Sequence, residues 1–148
     1  VSNHAALSYR CRHNLTYWQG GDYVGVGPGA HGRRSEGGNR IATRQYRNPA
    51  TWSDAVRQYG HGTETSETLD RTREIEETFL FGLRTVDGIS RKRFRALFDQ
   101  EPEKGCESES LAVLKRDGLV ECDAEGLRAT AAGRPLLDAI LGRLLVAH

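Results

Sequence analysis

Four side chains near the start of the sequence stand at a spacing that could do chemistry: His13, Asn14, Tyr17 and Trp18, in the stretch CRHNLTYWQGGDYVGVGPGAHG, residues 11–32. On a helix, positions 13 and 17 lie one turn apart on the same side, with 14 and 18 flanking them. The patch then offers an imidazole, an amide and two aromatic rings. Imidazole is a common axial ligand for heme iron, and aromatic planes pack well on a macrocycle. The plainer reading makes Tyr17 and Trp18 core residues and gives His13 a structural hydrogen bond.

Six glycines follow within thirteen positions, Gly20 to Gly32. GVGPGA, 25–30, matches G-x-G-x-x-A behind a strand-like run. A dinucleotide site built on that pattern needs a helix N-terminus directly after the turn and an acid about twenty residues on. HGRRSEGG follows instead, and position 45 is Gln, so that reading is rejected. Glycines at alternate strand positions still let a second backbone or a flat ligand approach closely.

The elements that must position these residues follow from periodicity. Residues 13–19 suit one or two helical turns. DYVGVG, 22–27, reads as a short buried strand with Val24 and Val26 on one face. Residues 31–38 are loop-like or a hairpin. NRIATRQYR, 39–47, alternates Ile41, Thr43 and Gln45 against Ala42, Arg44 and Tyr46, as a strand does. Asn48-Pro49 opens a helix over 51–59, with Trp52, Ala55, Val56 and Tyr59 along one face. GHGTETSET, 60–68, reads as a polar linker, and a domain boundary is placed there, dividing 1–62 from 63–148.

Beyond it, a helix over about 68–84 places Leu69, Ile75, Phe79, Leu80 and Leu83 on its apolar side. Asp87-Gly88 turns the chain, and Ser90 caps a helix over 91–98. A further helix covers about 107–117. LVECDAEGLRAT reads as a hairpin with strands 119–122 and 127–129. Thr130 caps a last helix, which Pro135 should delay by a turn or deprive of one bond. The fold class is thus α/β followed by α, the second part a small winged-helix-like helical domain with a β-hairpin.

The net charge of +1 over 148 residues gives no global field toward nucleic acid or membrane. The halves differ. Residues 1–62 hold eight arginines against three acids, a net +5; residues 63–148 hold thirteen basic residues against seventeen acids, a net −4. The first half suits an anionic ligand, and arginine suits planar carboxylates or phosphates. The second half lacks the basic stripe that nucleic-acid binding needs, and its RKRFR run, 91–95, reads as a solvated helix face. No apolar run approaches the roughly 18 residues that span a bilayer. Cys11, Cys106 and Cys122 form no local ligand motif and point to a reduced, cytoplasmic setting. A sequence opening VSNHAAL without methionine is read as a piece of something longer.

The runs HNLTYW and DYVGVGPGAHG resemble the oxygen-independent coproporphyrinogen III oxidase-like branch of the radical S-adenosylmethionine enzymes, and within it the members regarded as heme chaperones. The pattern HNxxYW stands here as His13, Asn14, Tyr17 and Trp18. The glycine turn stands as Gly27-Pro28-Gly29-Ala30-His31-Gly32, and EETFLFGLRTVDGISRKRF, 76–94, is similar to the opening of the family's C-terminal domain. The resemblance implies that residues 1–62 are the last part of a partial (β/α) radical barrel and 63–148 the small C-terminal domain. It implies that His13 holds heme iron, with Asn14, Tyr17 and Trp18 around the heme or porphyrinogen. It further implies that Gly27, Gly29, Ala30 and His31 lie beside S-adenosylmethionine. The glycine turn and the ring cluster would form one wall of a pocket.

One departure matters. The family's CxxxCxxC ligands for a 4Fe–4S cluster are absent from this sequence, so radical chemistry would need the rest of the protein, and the chain alone should be catalytically inactive. The partners implied are heme or porphyrinogen, the missing N-terminal part of the barrel, a heme-acceptor protein and a second copy in a homodimer, with no nucleic acid. Three functions remain in view: a heme chaperone, favoured because a heme-transfer protein needs an iron ligand; an oxidoreductase that decarboxylates coproporphyrinogen III; and a winged-helix interaction module.

Overall fold

The computed structural model describes residues 9–145, which divide into two compact units: Gly21–Asp70, and the described residues up to Gly20 together with those from Arg71 onward. In the first unit, β1 (His31–Glu36) and β2 (Asn39–Gln45) form an antiparallel hairpin. Gly37 and Gly38, both at positive φ, make its two-residue turn, as such hairpins prefer. Helix α2 (Pro49–Tyr59) follows. The Asn48 Oδ1 accepts from the amides of Ala50 at 2.9 Å and Thr51 at 3.2 Å, and Pro49 opens the helix without wasting a donor. Gly60, left-handed at φ 79°, closes it.

Strand β3 (Thr63–Thr68) completes an antiparallel sheet of order β1-β2-β3. The polar stretch read as a linker therefore contains a strand. Thr63, Thr65 and Thr68 are β-branched and suit a pleated edge, whose outer face is polar because it meets water. The units separate after Asp70.

The expected buried strand over 22–27 does not form. Only Tyr23 bridges, antiparallel to Arg33, while Val24 and Val26 are 80% and 82% exposed. Gly27 lies at φ 103°, outside strand geometry, so the alternation of the sequence has no sheet to join.

The second unit begins with α1 (Arg12–Trp18) and resumes with α3 (Arg71–Gly82), against which α1 packs. Then come β4 (Ile89–Ser90), α4 (Arg91–Phe98), a short 3-10 turn over 102–105, α5 (Ser108–Arg116), the hairpin β5 (Val120–Cys122) and β6 (Gly126–Ala129), and α6 (Leu137–Leu144). The second sheet has order β4-β6-β5. Its core is continuous: Phe79, Leu83, Phe94, Leu114, Leu127, Ile140 and Leu144 are fully buried, and the Phe79 and Phe94 rings meet edge to face at 6.0 Å.

Turn chemistry fixes this sheet. A Cβ on Gly88, at φ 70°, would stand 2.4 Å from the Leu127 carbonyl oxygen, so the Asp87-Gly88 turn must carry glycine. Ser90 Oγ accepts from the Arg93 amide at 3.5 Å and caps α4. Pro135 sits in a 3-10 turn over 134–136, and α6 starts only at Leu137, one turn late as expected. Thr130 closes the preceding turn instead, accepting from the Gly133 amide at 3.0 Å.

Candidate functional site

Helix α1 has no side-chain N-cap and no buried residue. A helix of seven residues is marginal alone, so tertiary contacts must hold it. His13 is exposed, while Asn14, Tyr17 and Trp18 are half-buried. The plainer reading of Tyr17 and Trp18 as deep core is therefore not what the fold shows. His13 and Tyr17 meet edge to face, with ring centroids 5.1 Å apart at 71°, as the one-turn spacing predicts. An exposed imidazole flanked by an aromatic edge can offer a nitrogen lone pair to a metal centre arriving from solvent. Both ends of the segment are tied to the same unit. The Arg10 guanidinium donates to Asp87 at 2.8 Å, and Arg93 donates to the Gly20 carbonyl at 3.1 Å.

The glycine turn belongs to the other unit. Its backbone is largely occupied by the fold. The Gly29 amide donates to the Tyr46 carbonyl at 2.8 Å, Ala30 N–H donates to the Gly27 carbonyl at 3.2 Å, and the Ala30 carbonyl accepts from the Gln45 amide at 2.8 Å. Glycine is demanded at two places by backbone approach. A Cβ on Gly25 would stand 2.4 Å from the His31 carbonyl oxygen, and one on Gly32 would stand 2.5 Å from Thr43 Oγ1 and 3.2 Å from the Tyr23 carbonyl oxygen. Close approach of backbone to backbone is thus the reason for Gly25, and at Gly32 the Thr43 side chain adds to it. Gly27 differs: nothing lies within 4 Å of the place its Cβ would take. His31 is exposed, opposite Arg44 in the hairpin register. Of the set, Gly27 has open space beside it and His31 is exposed.

Three polar clusters were not foreseen. Gln45, 8% exposed, accepts from the Trp52 indole N–H at 3.1 Å and donates to Thr63 Oγ1 at 3.1 Å, linking α2 to β3 behind the glycine turn. Ala42 and Gln45 are both buried, which strict alternation forbids. A register shift between Arg44 and Gln45 turns Gln45 inward. The second cluster ties Asp22 to the hairpin. The Ser35 amide and hydroxyl donate to it at 2.9 and 3.0 Å, and Arg40 at 2.6 Å. The Ser35 amide, then the Ser35 hydroxyl and the Arg40 guanidinium, hold Asp22 below the ordinary carboxylate range.

In the third cluster Arg91, its side chain 13% exposed, donates to Glu101 and Glu103 and to the Asp123 carbonyl, while Arg95 donates to Glu101. The hydrogen bond from Arg91, with its charge, lowers the pKa of Glu103. Within the RKRFR run Arg91 and Phe94 turn inward, while Lys92, Arg93 and Arg95 lie exposed as the solvated-face reading expects; Arg95 pairs with Glu101 and Arg93 reaches Gly20 across that surface. Residues far apart in sequence make all three clusters, and no local pattern marks them.

Among the described residues no group of three or more His, Cys, Asp or Glu could hold a metal ion. The cysteines are free. Burial, then the neighbouring Cys122, pushes the Cys106 thiol up to about 12, and burial raises Cys122 as well. A 4Fe–4S cluster takes a gathered set of thiolates, and the described residues bring no such group of donors together, so this donor set does not fit one. A single exposed imidazole fits an axial ligand, which needs no cluster of donors. No helix among the described residues is long and apolar enough to cross a membrane.

Residues 69–136 match the family model of the HemN C-terminal domain. The chain is 38% identical to radical S-adenosyl methionine domain-containing protein 1, mitochondrial, of Bos taurus, over 98% of this chain and 34% of that protein. It is 30% identical to the heme chaperone HemW of Bacillus subtilis, over 98% of this chain and 37% of that protein. The chain thus spans about a third of the length of these curated relatives. Among solved structures it is similar to the coproporphyrinogen III oxidase HemN of Escherichia coli, a radical SAM enzyme, with a TM-score of 0.57 and 21% identity over 82% of this chain and 27% of that one. That last likeness is one of fold: a HemN-like C-terminal domain of mixed helices and small sheets.

Proposed function

We propose, for a chain that belongs to the radical S-adenosylmethionine family of heme chaperones and oxygen-independent coproporphyrinogen III oxidase-like proteins, that its own part is to bind heme as cargo through His13. The observation that carries this reading is the exposed His13 imidazole set edge-on to Tyr17 at 5.1 Å. An imidazole packed in a core with no cavity beside it offers iron no approach; one on an exposed helix face does. Tyr17 limits the ring's rotation, while the half-buried Asn14 and Trp18 flank it with an amide and a flat apolar surface. The arginines outside internal ion pairs suit heme propionates.

S-adenosylmethionine, bound in the larger protein, would supply radical chemistry with a reduced 4Fe–4S cluster, neither held by the donors described. In this chain Gly27 and His31 are the residues proposed to face it. We read residues 21–70, rather than the expected 1–62, as the part that goes with the radical barrel; its β1-β2-β3 sheet is antiparallel and so adds to that barrel rather than repeating one of its parallel βα units. The succession α3, β4, α4, α5, β5, β6, α6 reads as a winged-helix-like domain. In that domain the ion pairs of Arg91 and Arg95 with Glu101 and Glu103 favour a structural role over phosphate contacts.

The test is hemin titration of the 148-residue chain followed by absorbance. The expected result is a Soret band of an imidazole-ligated heme that His13→Ala abolishes. A band that persists unchanged in His13→Ala overturns the assignment.

A further inference from the structure

The segment 9–20 belongs to the compact unit that contains the HemN C-terminal domain, although some fifty residues of the other unit intervene in sequence. Its helix cannot hold itself. Seven residues, no side-chain cap and no buried side chain leave it below the length at which isolated helices persist. Two polar tethers bracket it. On the N-terminal side Arg10 pairs with Asp87, in the turn after α3, at 2.8 Å. On the C-terminal side Gly20, left-handed at φ 64°, presents its carbonyl to Arg93 of α4 at 3.1 Å. A cation beside the last carbonyls of a helix also meets the negative end of its dipole.

We propose that Arg93 and Asp87 are positioning residues for the heme-ligand face of α1, so that the HemN C-terminal domain sets the orientation of His13. They act through the ends of the helix that carries His13, and the RKRFR run thereby gains a role that neither nucleic-acid binding nor mere solubility explains. The inference rests on the reading of His13 as the heme ligand, and its test separates the two.

The experiment compares the 148-residue chain with Arg93→Ala, Asp87→Asn, the double variant and Arg93→Lys. Hydrogen exchange of residues 11–20 is read without ligand, and hemin affinity from the Soret band. Each tether removed should speed exchange of 11–20 by about 2- to 5-fold, the size of an exposed charge at a helix end. Residues 94–98 and 137–144 should keep their protection, hemin affinity should fall by a similar factor, and Arg93→Lys should recover most of both. If Arg93→Ala loosens 137–144 too, Asp87→Asn, at a largely exposed side chain, carries the same comparison. Unchanged exchange in the double variant overturns the proposal, as does faster exchange with native hemin affinity. If instead His13→Ala leaves the Soret band intact while the tether variants still speed exchange, the heme reading falls and the tethers keep only a structural meaning.

Discussion

His13 and Tyr17 face each other edge to face across one turn of α1, 5.1 Å between ring centroids and 71° between planes. The contact gives an exposed imidazole a preferred plane. Replacing Tyr17 by Ala should therefore weaken hemin binding by about 2- to 12-fold, the range set by aromatic pair energies. Tyr17→Phe, which keeps the ring edge, should bind more nearly as the native chain does. Hemin titrations of the two variants check this, and equal losses would assign the effect to the hydroxyl rather than the ring.

The glycine turn makes a different kind of prediction. Gly25→Ala would put a Cβ 2.4 Å from the His31 carbonyl oxygen, and the hairpin register leaves that backbone little room to retreat. We expect a loss of about 1–3 kcal/mol in urea unfolding, the usual cost of a forced backbone shift. Gly37→Ala, with open space but φ 57°, should cost only about 1 kcal/mol from its left-handed backbone. Reversal of that order would show that conformation, and not contact, dominates here.

These cases also show what a one-dimensional reading reaches. The helices α2, α4 and α6 were legible because Asn48-Pro49, Ser90 and Pro135 are local signals that act within one turn. DYVGVG misled because alternation records where side chains would point if a neighbouring strand were present; Val24 and Val26 are exposed and only Tyr23 bridges. GHGTETSET misled the other way, since polarity hid the β-branched threonines of edge strand β3. At the site, the His13–Tyr17 spacing was legible. The Gln45 hub was not, because the register shift beside it breaks the two-residue period, and the tethers to Asp87 and Arg93 join positions more than seventy residues apart.

Gln45 should prove a stability determinant. Gln45→Leu keeps the volume but leaves the Trp52 indole N–H and Thr63 hydroxyl without their partner. A part-buried donor stranded in this way costs about 1–3 kcal/mol. Urea unfolding should show that loss, while hemin affinity at α1, in the other unit, should change far less.

The Arg91 cluster sets a pH dependence. The hydrogen bond and charge of Arg91 lower the Glu103 pKa from its ordinary 4.5. A carboxylate with a depressed folded pKa contributes stability that is complete above its unfolded value and is lost as pH falls through the folded one. Stability should therefore drop as pH goes below about 4.5, and Arg91→Met should lower the melting temperature at pH 7 while flattening that acid limb. Thermal melts across pH 3–7 read both effects. An acid limb just as steep in Arg91→Met would place its origin in other carboxylates, such as Asp22, whose pKa the Ser35 amide lowers.

The three thiols should differ sharply in reactivity. Cys11 is exposed, whereas Cys106 and Cys122 are half-buried against the core. Burial raises both of the latter, Cys106 to about 12, and the thiolate is the reactive form. Iodoacetamide at pH 8 should alkylate Cys11 first, then Cys122, and leave Cys106 nearly untouched until the chain unfolds. Because the folded state holds the Cys106 proton more tightly than the unfolded chain, stability from this group is complete below its ordinary value of 9.0 and declines as pH rises toward 12. Cys106→Ala should shrink that alkaline decline. Peptide mapping after timed alkylation decides the order, and Cys106 labelled as fast as Cys11 in folded protein would contradict the burial that raises it.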